Sequence, residues 1–491
     1  MSRSSVKTPS SGVAAQHTVE VLPERSHGLP LNGERFHLIG IGGMGMSALA
    51  LVLARSGAVV RGSDQTSGTS TALLEAQGVH VSLGHRAENL HPNFDRVVVS
   101  AAINADNPEL LHAQRRGCKV TKYAEMLGEL FNRCRGIAIS GTHGKSTTSA
   151  WLTYVLQQAR VDVDFVIGAS TDQLIRPAGA GSSGYFVAEA CEYDRSFLHL
   201  RPHIACMLNI ESDHLDYYRD EAEIVSAFTE FAAGIEEGGV LVANGQDGNV
   251  MQVITQLHSR VRSVTIGLDP ACDVFADHIV DEGGLHRFDV YRNRQKVGST
   301  RIALPGQHNI LNSLAVYAMA TEMGVDSAVV LSKLSTFTGI DRRLMLKGRF
   351  NDITVIDDYA HHPTEIRASL AAISQRYTPK RIWSVFQPHQ YSRTRFLLDD
   401  FAESFKLSHV TIVPEIFGVR DSQESRQAIS AQVLVQRLEA CGSEAIFLDG
   451  CSAICDYLES HVSAGDLVVT MGAGDVWKVA DEYIQRLKLD S

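Results

Sequence analysis

No stretch of this 491-residue chain is apolar over the ~18 residues that a membrane-spanning helix needs, which excludes a helical membrane protein. The opening segment MSRSSVKTPSSGVAAQHTV also lacks the apolar run of a secretory signal, and its Ser-rich, polar character leads us to expect a disordered extension over residues 1–30. Positive charge is short: 45 Lys and Arg face 56 Asp and Glu, a formal net charge of −11. Non-specific binding to nucleic acid or to an anionic membrane therefore has no electrostatic basis, and anionic ligands must be held by local clusters of donors. The 8 cysteines (Cys118, Cys134, Cys191, Cys206, Cys272, Cys441, Cys451 and Cys455) are scattered and include no CxxC pair. In a chain this long that pattern points to reduced thiols in a cytoplasmic setting, with Cys451 and Cys455 read as packing residues rather than metal ligands. There is no internal repeat and no low-complexity block beyond the N-terminus.

What is present is an ordinary globular composition, 44% hydrophobic and 21% charged, in a chain too long for a single core. Arg35–Gly40, Val59–Asp64 and Arg96–Ser100 read as strands, with an Ala-, Leu- and Met-rich helix over Gly45–Ser56 between the first two. Tyr185–Glu189 and Ile204–Asn209 continue the alternation, as do Ile353–Asp358, Arg381–Phe386, Val410–Val413 and Asp466–Thr470. Alternating β and α units imply parallel sheets wound with helices. We expect three α/β domains in series: a Rossmann-like one over residues 31–134, a P-loop ATPase-like one over 135–340 and a second Rossmann-like one over 341–491.

Gly141-Thr142-His143-Gly144-Lys145-Ser146-Thr147 follows the apolar run Gly136–Ile139 and opens a predicted helix. A strand feeding a glycine turn at a helix start gathers free N–H groups and the positive end of the helix dipole, which suits a phosphate. Lys145 would reach the outer phosphates and the Ser146 hydroxyl would hold Mg²⁺. The loop is shorter than the usual Walker A, so an ordinary loop between strand and helix is the alternative. Earlier in the chain Gly40-Ile41-Gly42-Gly43-Met44-Gly45 fits G-x-G-x-x-G after a strand, with Asp64 ending the next one. That pattern accepts any diphosphate linked to a ribose, a dinucleotide or a UDP-sugar, and a purely structural turn stays open.

Glu189 and His214 follow strands beside the phosphate loop, where they could converge with Ser146 on Mg²⁺, although His is the less expected partner for a hard cation. Asn309 and Asn312 lie on one face of a helix start and could read an adenine edge or simply cap the helix. Asp357-Asp358-Tyr359-Ala360-His361-His362 packs carboxylates and imidazoles after a strand, and Arg342, Arg343, Arg393 and Arg395 could clamp a γ-phosphate and a substrate carboxylate. Each arginine taken alone would be a solvated surface group.

In this order, GIGGMGMS (40–47), GTHGKSTT (141–148), NIESDHLDYY (209–218), GQHNILN (306–312), DDYAHHPTE (357–365), FQPHQYSRT (386–394) and MGAGD (471–475) resemble the Mur ligase family of peptidoglycan synthesis, over about residues 33–491. The resemblance implies an ATP-dependent ligase that joins L-alanine to the lactyl carboxylate of UDP-N-acetylmuramate through an acyl phosphate, with Mg²⁺ as cofactor. It implies that Gly42, Gly43, Gly45, Asp64, His85 and Ser100 surround UDP. Gly141, Thr142, His143, Gly144, Lys145, Ser146 and Thr147 would hold ATP phosphates, Asn309 and Asn312 the adenine, and Ser146, Glu189 and His214 the metal. Arg343 and Asp358 would approach ATP from the hinge and third domain, and Lys145, Arg343, His361 and Arg393 would carry the chemistry, with His362 nearby.

The chain departs from the family pattern at Glu189-Ala190-Cys191-Glu192-Tyr193-Asp194, where relatives read E-A-D-E-S-D, and at Pro414–Arg420. Residues 221–240 contain no lysine, so the carbamylated lysine of other branches has no counterpart here, as in the alanine-adding branch. The expected protein is a cytoplasmic monomer or weak homodimer. The competing readings are a ligase of the same superfamily that adds a peptide or another amino acid, a nicotinamide-dependent dehydrogenase, and a noncatalytic nucleotide-binding regulator.

Overall fold

A computed structural model describes residues 31–94, 96–174, 178–179, 181–214, 217–257, 260–419 and 421–489. The extension expected over residues 1–30 lies outside the described residues. Three sheets follow one another along the chain, each flanked by helices.

The first sheet runs His80–Leu83, Val59–Asp64, Arg35–Ile39, Arg96–Val99, Lys119–Lys122 from edge to edge, all parallel. Strand order reverses about Arg35–Ile39, so a crevice opens where that strand ends. There the chain enters the glycine turn and the helix Met44–Arg55. This helix is buried continuously from Met46 to Leu53, as expected of a helix that is apolar all round. Its Leu49 and Val52 share one core with Val166 and Phe186 of the second sheet, so the first two sheets are packed as one body.

The second sheet has nine strands in the order Gln295–Arg301, His286–Arg292, Val274–Asp281, Arg262–Gly267, Val240–Asn244, Ile204–Met207, Arg135–Ser140, Tyr185–Glu189, Asp164–Val166. The phosphate-loop strand Arg135–Ser140 lies parallel to both neighbours, which places their carboxyl ends around one point. The strand Val274–Asp281 pairs parallel with Arg262–Gly267 but antiparallel with His286–Arg292, which pairs antiparallel with Gln295–Arg301, a meander that the β/α alternation did not announce. The helix Lys145–Gln158 is anchored by Trp151, stacked on Phe337 at 5.3 Å. Truncating a buried Trp of this kind costs ~3–5 kcal/mol.

The third sheet runs Met345–Phe350, Ile353–Asp358, Leu467–Met471, Ile382–Phe386, Val410–Val413, Ala445–Phe447, and only its first strand is antiparallel. The connection into it is strained: Arg342 has φ 60° and Leu344 φ 48°, in the left-handed region that costs a non-glycine residue ~1–3 kcal/mol. Arg342 holds that turn in place, donating from Nε to Asp357 at 3.0 Å and from Nη2 to the Gly472 carbonyl at 2.7 Å.

Candidate active site

The phosphate loop has the backbone its glycines allow. Gly141 has φ 139° and Gly144 φ 84°, and a Cβ on Gly144 would come within 3.0 Å of Asn312 Oδ1. Lys145 Nζ donates to the carbonyls of Gly141 (2.5 Å) and Thr142 (3.0 Å) and lies 3.1 Å from Glu192 Oε1. Burial disfavours its charge, but Glu192 more than compensates and raises the lysine above its ordinary range. The ammonium is thus held as a fixed cation at the mouth of its own loop.

Ser146 Oγ donates to Glu189 Oε2 at 3.0 Å, and the Gly168 amide donates to Glu189 Oε1 at 2.6 Å. Burial pushes the Glu189 carboxyl up despite these bonds and the cations Lys145 and Arg343. His214, at φ 54°, turns Nε2 toward Glu192 at 3.6 Å, while its Nδ1 is buried without a hydrogen-bond partner among the described residues. Burial lowers its pKa, which favours the neutral imidazole. The structure brings Ser146 and Glu189 into contact and ties His214 to Glu192.

A cavity of about 470 Å³ opens beside the loop, lined by His143, Gly144, Ser146, Thr147, Asn309, Asn312, Arg343 and Asp358 among others. Residues from the phosphate loop, the helix His308–Glu322, the hinge and the helix Pro363–Tyr377 thus share one space. Asn309 and Asn312 are buried and joined, Asn312 Nδ2 donating to Asn309 Oδ1 at 3.0 Å and Asn309 Nδ2 to the Pro305 carbonyl at 2.8 Å. Two of the donor positions that could read an adenine edge are therefore already engaged. Asp358 accepts from Ala360 N (2.6 Å) and Leu344 N (2.8 Å), and burial raises its carboxyl to about 6.

Four acids missing from the sequence reading of the site hold it together: Glu192, Glu211, Asp213 and Glu365. Burial opposes the charge of Glu211, yet His143 and Thr364 bring it down to about 2. Burial likewise opposes protonation of His143, but Glu211 at 3.6 Å and Glu365 at 3.3 Å raise it to about 9. His361 Nδ1 lies 3.0 Å from the Tyr359 carbonyl and 3.1 Å from Glu365, and is not among the groups lining the cavity. His362 caps its helix, accepting from Thr364 N, and reaches across to the Ser212 carbonyl at 3.3 Å. Arg393, expected from the sequence to lie near a substrate carboxylate, is engaged with an acid of the second domain. Its Nε and Nη2 both donate to Asp213 Oδ1, at 3.1 and 2.9 Å, so the guanidinium bridges the second and third sheets' loops. Each of these acids lies inside or next to a motif, but only the fold reveals what it faces.

A second cleft, about 870 Å³, lies at the crevice of the first sheet and is lined by Gly42, Gly43, Asp64, His85 and Ser100. The Gly42 amide donates to Asp64 Oδ2 at 2.8 Å, so the carboxylate sits on the glycine turn as well as at its strand end. His85 Nδ1 lies 3.0 Å from Ser63 Oγ, over the buried Glu109 that also holds His37 at 2.6 Å. Gly45 is not among the residues lining this cleft and backs onto Tyr123, whose Oη would lie 2.8 Å from an added Cβ. It serves close packing of the helix. Cys451 and Cys455 are kept as thiols by burial, which raises them to about 11 and about 12. Among the described residues no helix is long and apolar enough to cross a membrane.

Residues 35–135 match the Mur ligase family catalytic domain, 139–320 the Mur ligase middle domain and 342–474 the Mur ligase glutamate ligase domain. The chain is 39% identical to the UDP-N-acetylmuramate–L-alanine ligase of Acetivibrio thermocellus over 93% of its own length and 97% of the relative's. The corresponding ligase of Clostridium botulinum is 40% identical over 92% of this chain and 97% of the relative. The crystal structure of UDP-N-acetylmuramate–alanine ligase from Thermotoga maritima superposes with a TM-score of 0.79 at 26% identity, covering 93% of this chain and 100% of that one. A murein peptide ligase from Psychrobacter arcticus gives a TM-score of 0.69 at 27% identity, covering 93% and 99%.

Proposed function

The chain belongs to the Mur ligase family, and on that premise we propose that it joins L-alanine to the lactyl carboxylate of UDP-N-acetylmuramate, converting ATP to ADP and phosphate. The product is a precursor of peptidoglycan, and through it of cell-wall growth, shape and division. The observation that carries this reading is the meeting of His143, Gly144 and Ser146 of the glycine loop with Arg343 around one cavity, Ser146 being bonded to Glu189, in a chain aligned with the alanine-adding relatives along nearly its whole length.

The division of labour follows the three sheets, with boundaries we place at residues 31–134, 135–340 and 341–491. The cleft of Gly42, Gly43, Asp64, His85 and Ser100 takes the UDP of the sugar nucleotide, whose diphosphate lies at the start of the helix Met44–Arg55. The phosphate loop takes ATP, with Asn309 and Asn312 beside the adenine. Charge develops on the γ-phosphoryl group as the lactyl oxygen attacks, and Lys145 and Arg343, already oriented by Glu192 and Glu365, disperse it. The acyl phosphate then meets the amine of L-alanine, whose proton passes to solvent or to a nearby imidazole such as His361, and phosphate leaves. The docked third sheet, tied down by Arg393 and Asp213, excludes the water that would otherwise hydrolyse the intermediate.

We assign a divalent cation such as Mg²⁺ to Ser146 and Glu189, whose hydroxyl and carboxylate are in contact and suit a hard ion, with His214, whose Nδ1 has no hydrogen-bond partner among the described residues, as a further donor. When bound it would neutralise phosphate oxygens. The site is assembled within one chain, which suits a monomer or weak homodimer, and unpaired cysteines suit a cytoplasmic setting. Phosphate release measured with ATP, Mg²⁺ and UDP-N-acetylmuramate across all amino acids tests the reading. L-Alanine should give the highest turnover, and Lys145→Ala should lower it ~10³-fold. Turnover with a peptide in place of alanine would make this a peptide ligase instead, and near-normal activity of Lys145→Ala would remove the loop from the mechanism.

A further inference from the structure

We propose that Glu365 is a positioning residue of this ligase, joining Arg343, His361 and the phosphate-loop His143 through one carboxylate, so that the γ-phosphate clamp is complete only when the third domain is docked. The inference rests on the ligase reading above.

Glu365 is 9% exposed and stands in the first turn of the helix Pro363–Tyr377. An acid there ordinarily favours the helix dipole and bonds a free amide at the helix start. That role accounts for one contact, His361 N to Oε2 at 3.0 Å. It does not account for the others. Oε1 accepts from Arg343 Nη1 at 3.0 Å and lies 3.3 Å from His143 Nδ1, while Oε2 lies 3.1 Å from His361 Nδ1. Arg343 comes from the hinge and His143 from the second domain, so the carboxylate is a junction of three chain segments. His143 in turn faces Glu211 Oε2 at 3.6 Å, and Thr364 Oγ1 donates to the same oxygen at 2.6 Å. Charges therefore alternate from Arg343 through Glu365 and His143 to Glu211, across the interface between the domains. Burial opposes the Glu365 charge, but Arg343 and His361 hold its carboxyl well below the ordinary range, as a permanent anion.

Arg343, His143 and Glu365 all line the cavity, while the proposed adenine partners Asn309 and Asn312 stand on a second-domain helix. Loss of Glu365 should therefore misplace the clamp without removing the binding surface. Glu365→Gln keeps the volume and removes the charge. Its kcat should fall on the order of 10²-fold, the effect of a ~1 Å misplacement, with KM for ATP changed by less than about threefold. In hydrogen exchange of the ligand-free full chain, residues 141–144 and 211–214 should exchange faster than in the wild type while the melting temperature holds. Combined with His143→Gln, the loss in kcat should not exceed that of the worse single variant. An unchanged kcat, or losses that add fully with a lowered melting temperature and unaltered exchange at those segments, would reduce Glu365 to a helix-start residue. If the wild type itself fails to ligate alanine, the ligase reading fails, and the exchange measurement still decides whether Glu365 bridges the domains.

Discussion

Asp213 and Arg393 stand 180 residues apart and form a buried ion pair in which both Nε and Nη2 of the arginine donate to one carboxylate oxygen. The pair joins the loop after strand Ile204–Met207 to the helix Tyr391–Phe396, and so ties the third domain to the second.

Removing one partner of a buried pair leaves the other charge uncompensated, a penalty of ~3–5 kcal/mol. Since the pair spans two domains, we expect Arg393→Ala to open the molecule before it unfolds either domain. Small-angle scattering should show a larger radius of gyration with little change in the melting of the separate cores, and Arg393→Lys should recover only part of the closure because it lacks the planar fork. An unchanged radius in Arg393→Ala would mean that other contacts dominate closure.

Acid and alkali should act on closure from opposite sides. Burial opposes the Asp213 charge, but Arg393 depresses its carboxyl far below the ordinary value, so its contribution is present above that value and is lost only in strong acid. His143 is raised to about 9 by Glu211 and Glu365 against the effect of burial. Its contribution is complete below the ordinary imidazole pKa of ~6.5 and is lost as pH rises through about 9. Turnover and interdomain protection from hydrogen exchange should therefore decline together on the alkaline side, and His143→Gln should flatten that limb. A limb unchanged in the variant would assign it to another group.

For the metal, Glu189→Ala should raise the Mg²⁺ concentration needed for half-maximal turnover and lower the maximum, while UDP-sugar binding to the first domain persists. His214→Ala should shift the titration the same way by less, since imidazole suits a hard cation poorly. A lowered melting temperature with an unshifted titration would make both residues part of the scaffold.

The two glycines of the first turn should behave differently. A Cβ at Gly42 would press within 2.9 Å of Asp64 Oδ2, so Gly42→Ala should weaken UDP-N-acetylmuramate binding measured by calorimetry. Gly45→Ala would push on Tyr123 in the domain junction, costing ~1–3 kcal/mol of stability by overpacking. Its binding per folded molecule should stay near that of the wild type. Equal losses of affinity would place Gly45 in the cleft.

The sequence by itself determined the strands it named and their local chemistry, but not the antiparallel strands of the second sheet. Gly141, Gly144 and Lys145 between an apolar strand and a helix specify a tight glycine turn carrying a cation at a helix start, through backbone sterics and charge, both local properties. The same holds for the glycine turn at Gly40–Gly43 and for the strand runs, which the structure places within a residue or two of the expected bounds. Tertiary structure decided which groups meet. Arg393 is fully legible as a cation, but only the docking of the third domain turns it onto Asp213. Gly45 matches the last glycine of its motif, yet the helix face it occupies is set by Tyr123, far along the chain. Glu365 and Glu211 look like surface acids until a hinge strained at Arg342 and Leu344 folds one domain over the other and places His143 between them. Local propensity acts over a few residues, whereas a charge network across domains depends on distances that no short stretch of sequence encodes.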